Sequence, residues 1–249
     1  QTGILPDETL AELASLQMEA PGMHPSLVRV QVKRSLGREP EEIFEKFAPE
    51  PFAAASLGQV HEATTREHKR VAVKIQYPGI RETVENDFKW FRTVSKPAQA
   101  SGHIPKEAID ELERQILAET DYHLEADNID FFREKLSPLS FVEVPRVFRE
   151  YSSEKVLTMS LVRGRHLEQF LKQKPSQKLR DQLGTNLVEL FYFQLLKLGA
   201  FHADPHWGNY LFNDDASIGL VDFGCAKKLT PAALKYLHEV YLYPGDRHS

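Results

Sequence analysis

His202-Ala203-Asp204-Pro205-His206-Trp207-Gly208-Asn209, followed by Asp222-Phe223-Gly224, is the stretch from which the rest of the chain can be read. Asp204, Asn209 and Asp222 supply carboxylate and amide oxygens, the hard donors that Mg²⁺ prefers. Two short strands between Asn209 and Asp222, the second being the apolar run Ile218-Gly219-Leu220-Val221, would carry Asn209 and Asp222 to one cation.

The spacing His-x-Asp-x-x-x-x-Asn is that of the protein-kinase catalytic loop, and Asp-Phe-Gly is the metal-binding triplet that follows it there. Either motif alone reads equally well as a turn with a capping Asp. In this order, with a strand before the second, they point to phosphoryl chemistry, which needs a carboxylate near the acceptor, ligands for Mg²⁺ and a cation for the nucleotide phosphates. Lys74, late in Val71-Ala72-Val73-Lys74, fits the pattern Val-Ala-Ile-Lys and is the candidate cation. Its partner carboxylate is read as Glu119, with Glu111 and Glu113 on the same expected helix as competitors. The catalytic candidates are therefore Asp204, Lys74 and Glu119, and the metal candidates Asn209 and Asp222.

Composition sets limits around this core. The 249 residues are 41% hydrophobic and 27% charged, as in an ordinary globular chain with a sizeable core. A net charge of −5 argues against nucleic acid held by a general basic field. A single cysteine, Cys225, forms no internal disulfide and fits a reducing compartment. Glu189, Gln194 and Lys197 interrupt the longest apolar stretch, Leu187 to Phe201, which reads as a buried helix rather than a membrane span. The chain opens on Gln1 with no signal-peptide pattern, as expected of a processed protein or an excised fragment.

Periodicity predicts a helix opening at Pro6-Asp7-Glu8, a second from His24 to Leu36 ended by Gly37, and a strand over Arg70 to Gln76 stopped by Pro78-Gly79. Helices are expected over Thr83 to Val94 and Pro105 to Lys135, with a loop from Lys96 to Ile104. Short strands follow at Phe141 to Val144 and Lys155 to Met159, then a turn at Gly164, a long helix over Gln177 to Leu198 and a final helix from Pro231. The class is α+β: a bilobal protein-kinase-like fold with a small strand-containing N-lobe, extra N-terminal helices and a mainly helical C-lobe. The expected parts are a helical extension over 1–50, the N-lobe with inserted helices over 51–162 and a shortened C-lobe over 163–249.

Four blocks make the chain resemble the UbiB family of atypical kinase-like proteins, also called the aarF-domain or ADCK family. Ala53-Ala54-Ala55-Ser56-Leu57-Gly58-Gln59-Val60-His61 looks like its alanine-rich loop, and Val71 to Gly79 like its lysine strand. Glu119-Thr120-Asp121-Tyr122, with Glu125 and Asn128 beyond, looks like its Glu-x-Asp motif. The catalytic loop and Asp-Phe-Gly complete the set. The resemblance runs from about Leu5 to Leu229 and implies binding of ATP or ADP with Mg²⁺. It implies an ion pair of Lys74 with Glu119, metal on Asn209 and Asp222, and nucleotide against Ala53, Ala54, Ala55, Ser56, Leu57, Gly58, Lys74, Met159 and Leu161.

It further implies ATPase or small-molecule or lipid kinase activity supporting ubiquinone or other lipid metabolism. Partners would be a lipid or quinone precursor and a membrane surface, in mitochondria, plastids or bacteria. The family's Lys-x-Gly-Gln segment has no counterpart here, the chain ends soon after Gly224, and Trp207 stands where small residues or Pro are frequent. Competing readings are a phosphotransferase of the aminoglycoside or choline kinase type, opposed by the alanine block, and a pseudokinase scaffold that binds nucleotide without turnover.

Alanine restricts backbone conformations open to glycine, so Ala53 to Ala55 should be stiffer than a glycine-rich loop and slow transfer to protein. Ala54→Gly is expected to change nucleotide affinity and raise autophosphorylation, measured with labelled ATP; no change in either overturns that account.

Overall fold

A computed structural model of the chain describes residues 22–96, 105–202 and 206–241. The helix expected to open at Pro6-Asp7-Glu8, most of the loop from Lys96 to Ile104, and Asp204 lie outside the described residues. The chain divides into two compact units: Gln1–Thr120 with Arg149–Thr158, and Asp121–Phe148 with Met159–Ser249. The expected parts, 1–50, 51–162 and 163–249, cut the chain differently, because 121–148 clusters here with the C-terminal residues.

In the first unit, α1 (Pro25–Leu36) begins with Pro in its first turn and with the His24 ring accepting from Ser26 N–H. It ends at Gly37, whose left-handed backbone (φ 74°) lets its N–H reach Lys33 O at 2.8 Å. A short α2 (Pro40–Ile43) leads into β1 (Phe44–Phe47), β2 (Ala53–Ala55), β3 (Gly58–Thr65) and β4 (Arg70–Gln76). With β6 (Val156–Ser160) they form a sheet of order β1-β3-β4-β6, β2 lying beside β3. β4 sits between β3 and β6, and every residue from Val71 to Gln76 is buried. That explains why its apolar run is nearly continuous rather than strictly alternating.

The alanine block is an arm of sheet rather than an open loop. Ala53, Ala54 and Ala55 pair with Val60, Gln59 and Gly58, and only Ser56-Leu57 make the turn. Gly58 is there for packing: a Cβ on it would lie 2.1 Å from Ile75 O on β4. Behind the hairpin, Gln59 Oε1 accepts from Met23 N–H (2.6 Å) and the Gln59 amide donates to His61 Nε2 (2.7 Å). The other ring nitrogen of His61 donates to Ala48 O at 2.9 Å. Burial holds His61 below the usual imidazole range.

Helices α3 (Ile80–Val94) and α4 (Lys106–Glu119) pack through Val84, Phe88 and Ile109, with Ile116 and Leu117 against them. One helix was expected over Pro105 to Lys135, and the structure corrects that reading by breaking it at Thr120-Asp121. The Thr120 hydroxyl turns back to donate to Leu117 O (2.7 Å), while extended Asp121 caps the next helix by accepting from His123 N–H (2.9 Å). That helix, α5 (Tyr122–Lys135), belongs to the second unit.

The second unit continues with β5 (Val142–Glu143), α6 (Leu167–Lys172) and α7 (Gln177–Tyr192), which runs on through a wider π turn at Phe193–Leu198. Then come β7 (Ala200–His202), β8 (Tyr210–Phe212), β9 (Ile218–Leu220), β10 (Ala226–Lys228) and α8 (Pro231–Tyr241). β5 lies parallel to β9, and β9 antiparallel to β8. β10 returns antiparallel to β7. Mostly antiparallel strands with segregated helices make this the α+β class expected.

Gly58→Ala is expected to cost about 1–3 kcal/mol, since the neighbour is backbone that cannot step aside. Thermal unfolding should show it as a fall of roughly 2–4 °C per kcal/mol; an unchanged midpoint would overturn the packing account.

Candidate functional site

The second unit builds the Asp-Phe-Gly segment from three directions. From β9, the ladder pairs Tyr210 with Leu220, and Val221 N–H then donates to Asn209 O at 3.2 Å. Asn209 thus stands opposite Val221, one residue from Asp222 in register. Residues facing each other across such a ladder have Cα atoms about 4.5–5.5 Å apart, so the backbones of Asn209 and Val221 are neighbours and Asp222 follows at the next position. The Asp222 carboxylate accepts from Gly224 N–H at 2.9 Å, which orients it within its own turn.

From β7, the His202 Nε2–H donates to the carbonyl of Asp222, and its backbone N–H donates to Gln194 Oε1 at 3.0 Å. Gln194 is buried within the π turn of α7, where the widened helix points an amide inward. Among the described residues, His202 Nδ1 is buried without a hydrogen-bond partner.

From α5, Glu125 and Asn128 satisfy both backbone groups of Phe223. Phe223 N–H donates to Glu125 Oε1 (3.4 Å), and the Asn128 amide donates to Phe223 O (2.9 Å). The Phe223 ring is fully buried against Phe132 and His202, with centroids 5.5 and 5.6 Å away. Glu125 is only 4% exposed. Neither residue was assigned a role from sequence. The signal lay in the helix pattern: Tyr122, Ala126, Ile129 and Phe132 form the buried stripe of α5, and a carboxylate at 125 falls on it.

The short turn Trp207–Asn209 is started by His206, whose Nδ1 accepts from Gly208 N–H at 3.0 Å. Trp207 is half exposed and lies beside the Tyr210 and Phe212 rings (6.0 and 6.5 Å), so a large residue at this position caps the β8 hairpin. Asp204 lies outside the described residues. The oxygens of Asn209 and Asp222 fit a magnesium ion, which characteristically takes one or two protein carboxylates and completes its shell with phosphate and water oxygens. Among the described residues, no group of three or more His, Cys, Asp or Glu side chains is placed to hold a metal alone.

In the first unit, Lys74 lies on β4 between two fully buried residues, Val73 and Ile75, and is itself 4% exposed. Two residues on, and so on the same face, Gln76 donates its amide to Thr120 O at 2.7 Å. That bond anchors the end of α4, next to half-buried Glu119, onto the lysine strand. The competing carboxylates are engaged elsewhere: Glu113 with Arg92, and Glu111 with Arg114 at 2.6 Å. Ala53 to Gly58 form the β2–β3 hairpin described above. Met159 is buried in β6, and Leu161 follows it partly exposed.

The chain matches the model of the ABC1 atypical kinase-like domain over residues 15–247. It is 36% identical over 252 residues to Protein ACTIVITY OF BC1 COMPLEX KINASE 3, chloroplastic, of Arabidopsis thaliana, covering 98% of this chain and 35% of that protein. With Atypical kinase COQ8, mitochondrial, of Saccharomyces cerevisiae it is 31% identical over 230 residues, covering 90% of this chain and 45% of that one. A solved structure, Rv3197 with erythromycin from Mycobacterium tuberculosis, superposes with a TM-score of 0.75 at 33% identity, over 90% of this chain and 57% of that one. The chain thus spans about a third to under half the length of these curated relatives.

Asn128→Ala removes the donor to a buried carbonyl and is expected to cost about 1–3 kcal/mol. Denaturant titration measures this, and a midpoint equal to that of the parent would show that the Phe223 carbonyl is not held this way.

Proposed function

The chain belongs to the ABC1 atypical kinase-like family, and from that premise we propose that it binds ATP or ADP with Mg²⁺ and acts as an ATPase or as a kinase of a small molecule or lipid. One observation carries the reading. Asn209 and Asp222 stand one residue apart in register across the β8–β9 hairpin, and the segment after Asp222 is locked by Glu125, Asn128 and His202. Oxygen donors fixed before ligand arrives stabilise developing charge without reorganising during reaction.

When bound, magnesium neutralises charge on the phosphate oxygens. Asn209 and Asp222 are its ligands in this reading. Lys74 is the phosphate cation and Glu119 its partner carboxylate, an assignment favoured by the Gln76–Thr120 bond and by the engagement of Glu111 and Glu113 elsewhere. Ala53, Ala54, Ala55, Ser56, Leu57, Gly58, Met159 and Leu161 complete the nucleotide contacts. Asp204 acts on the attacking water or acceptor hydroxyl. The paired arm Ala53–Ala55 supports low transfer to protein, because its backbone is committed to β3.

Support of ubiquinone or other lipid metabolism is the role that the family resemblance implies, and relatives named as mitochondrial and chloroplastic are compatible with it. A lipid or quinone precursor at a mitochondrial, plastid or bacterial membrane surface is the corresponding partner. Among the described residues, no helix is long and apolar enough to cross a membrane.

ATP hydrolysis, assayed with and without anionic vesicles and phenolic quinone precursors, tests the proposal. Asp222→Asn is expected to lower turnover at least about 100-fold, the scale for losing one charge-stabilising group. Nucleotide binding without turnover in the parent chain would replace the enzyme with a scaffold.

A further inference from the structure

A cavity of about 510 Å³ opens within the first unit, away from every residue assigned above to nucleotide or metal. Its walls come from the end of α1 (Gln31, Arg34, Ser35), the entry to α3 (Pro78, Gly79, Glu82) and the turn before β6 (Ser153, Glu154, Lys155). Three features in it point to an anion. The 15-residue helix α3 begins here, and its N-cap Gly79 offers no side-chain acceptor to the first-turn amides. Arg34 and Lys155 both line the space, and among the described residues neither side chain has a carboxylate partner. Gln31 is 5% exposed on the buried face of α1 and lines the cavity, yet its amide makes no hydrogen bond among the described residues. Its amide is not sealed from solvent, so its donor and its acceptor are both available to a ligand that enters the cavity.

Two carboxylates share the space. Glu154 leans toward Arg81, with 3.8 Å between their charged atoms, and is partly neutralised. Glu82 is left as an acceptor for ligand hydroxyls, which the Ser35 and Ser153 side chains can also meet. The volume falls in the range of small-molecule sites and exceeds what a bare ion needs.

We propose that this cavity is a second ligand site that takes a phosphorylated polyol, with its phosphate on Arg34, Lys155 and the α3 amides and its hydroxyls on Gln31 and Glu82. Glycerol phosphate is the smallest such ligand. The same chemistry could be carried by a soluble sugar phosphate or by a glycerophosphate lipid headgroup.

Calorimetric titration of the full chain with glycerol 3-phosphate, glucose 6-phosphate and inorganic phosphate tests the site, beside sedimentation with phosphatidylglycerol vesicles against phosphatidylcholine ones. Saturable binding of a soluble ester, tighter than inorganic phosphate, is expected if the source is soluble. Selective sedimentation with phosphatidylglycerol is expected if it is a headgroup. In either arm Arg34→Gln and Lys155→Gln should each weaken binding about tenfold, the scale of one charge-assisted hydrogen bond. Arg34 is exposed, so its variant keeps the fold, and unchanged thermal unfolding verifies this. Gln31→Leu, which fills the polar wall with an apolar group, should weaken the polyol more than inorganic phosphate. Saturating ADP with Mg²⁺ should leave all of this unchanged, so loss of nucleotide turnover has no bearing on the outcome. Absence of binding in every arm, binding indifferent to Arg34→Gln and Lys155→Gln, or displacement by ADP would each overturn the proposal.

Discussion

The backbone of Phe223 is the point on which the second unit depends. A residue in a loop after a strand has no ladder partner for its N–H and C=O, and burying it without partners costs about 1–3 kcal/mol per group. Here a helix from far earlier in the chain supplies both, through Glu125 and Asn128 one turn apart. With the backbone fixed, the ring fills the space between Phe132 and His202, and the neighbouring Asp222 has little freedom left. The β7–β10 pairing closes the segment from the other side, with Ala226 opposite His202. A carboxylate held this way is preorganised by structure that never touches a ligand.

The first unit solves a similar problem with an amide. Gln76 leaves a buried strand to reach the carbonyl of Thr120, where α4 has just ended and the last carbonyls of a helix want donors. One bond thereby satisfies a helix terminus and holds that terminus beside the lysine strand. Gln59, which faces Ile75 one rung away on β3, does comparable work, joining Met23 to His61 and, through that ring, to Ala48. Buried glutamines span gaps in this unit that apolar side chains would leave polar atoms unpaired across.

What could be read from sequence was what is local. The spacing of His202, Asp204 and Asn209 and the Asp-Phe-Gly triplet are written in consecutive residues, as are the ends of α1 at Pro25 and Gly37. The competition among Glu111, Glu113 and Glu119 stayed open because helical periodicity places many carboxylates on solvated faces; the guanidinium partners that occupy two of them are set by packing. The break at Thr120-Asp121 was missed for want of Gly or Pro, although Asp before a helical run is a cap signal. At Ala53–Ala55 the family resemblance implies a loop, and alanine, a helix former that is depleted in strands, gives no strand signal; the decisive fact is the pairing of these residues with Val60, Gln59 and Gly58. Glu125 and Asn128 were visible as residues, but their roles depend on a partner more than ninety positions away, with separations of 98 and 95.

The π turn at Phe193–Leu198 bears on how this chain can change length. Each residue of an α-helix advances about 100° around the axis. Deleting one residue there would restore regular helix, but it would also swing Gln194 off the inward face and release the His202 N–H it receives. Inserting one would do the same in the other sense. Substitutions on the outer face of α7 can be absorbed one at a time, whereas a change of length in this turn would be felt at Asp222 through a single amide. Among related chains the spacing from this turn to Asp222 should therefore be held more strictly than the identity of most residues within it.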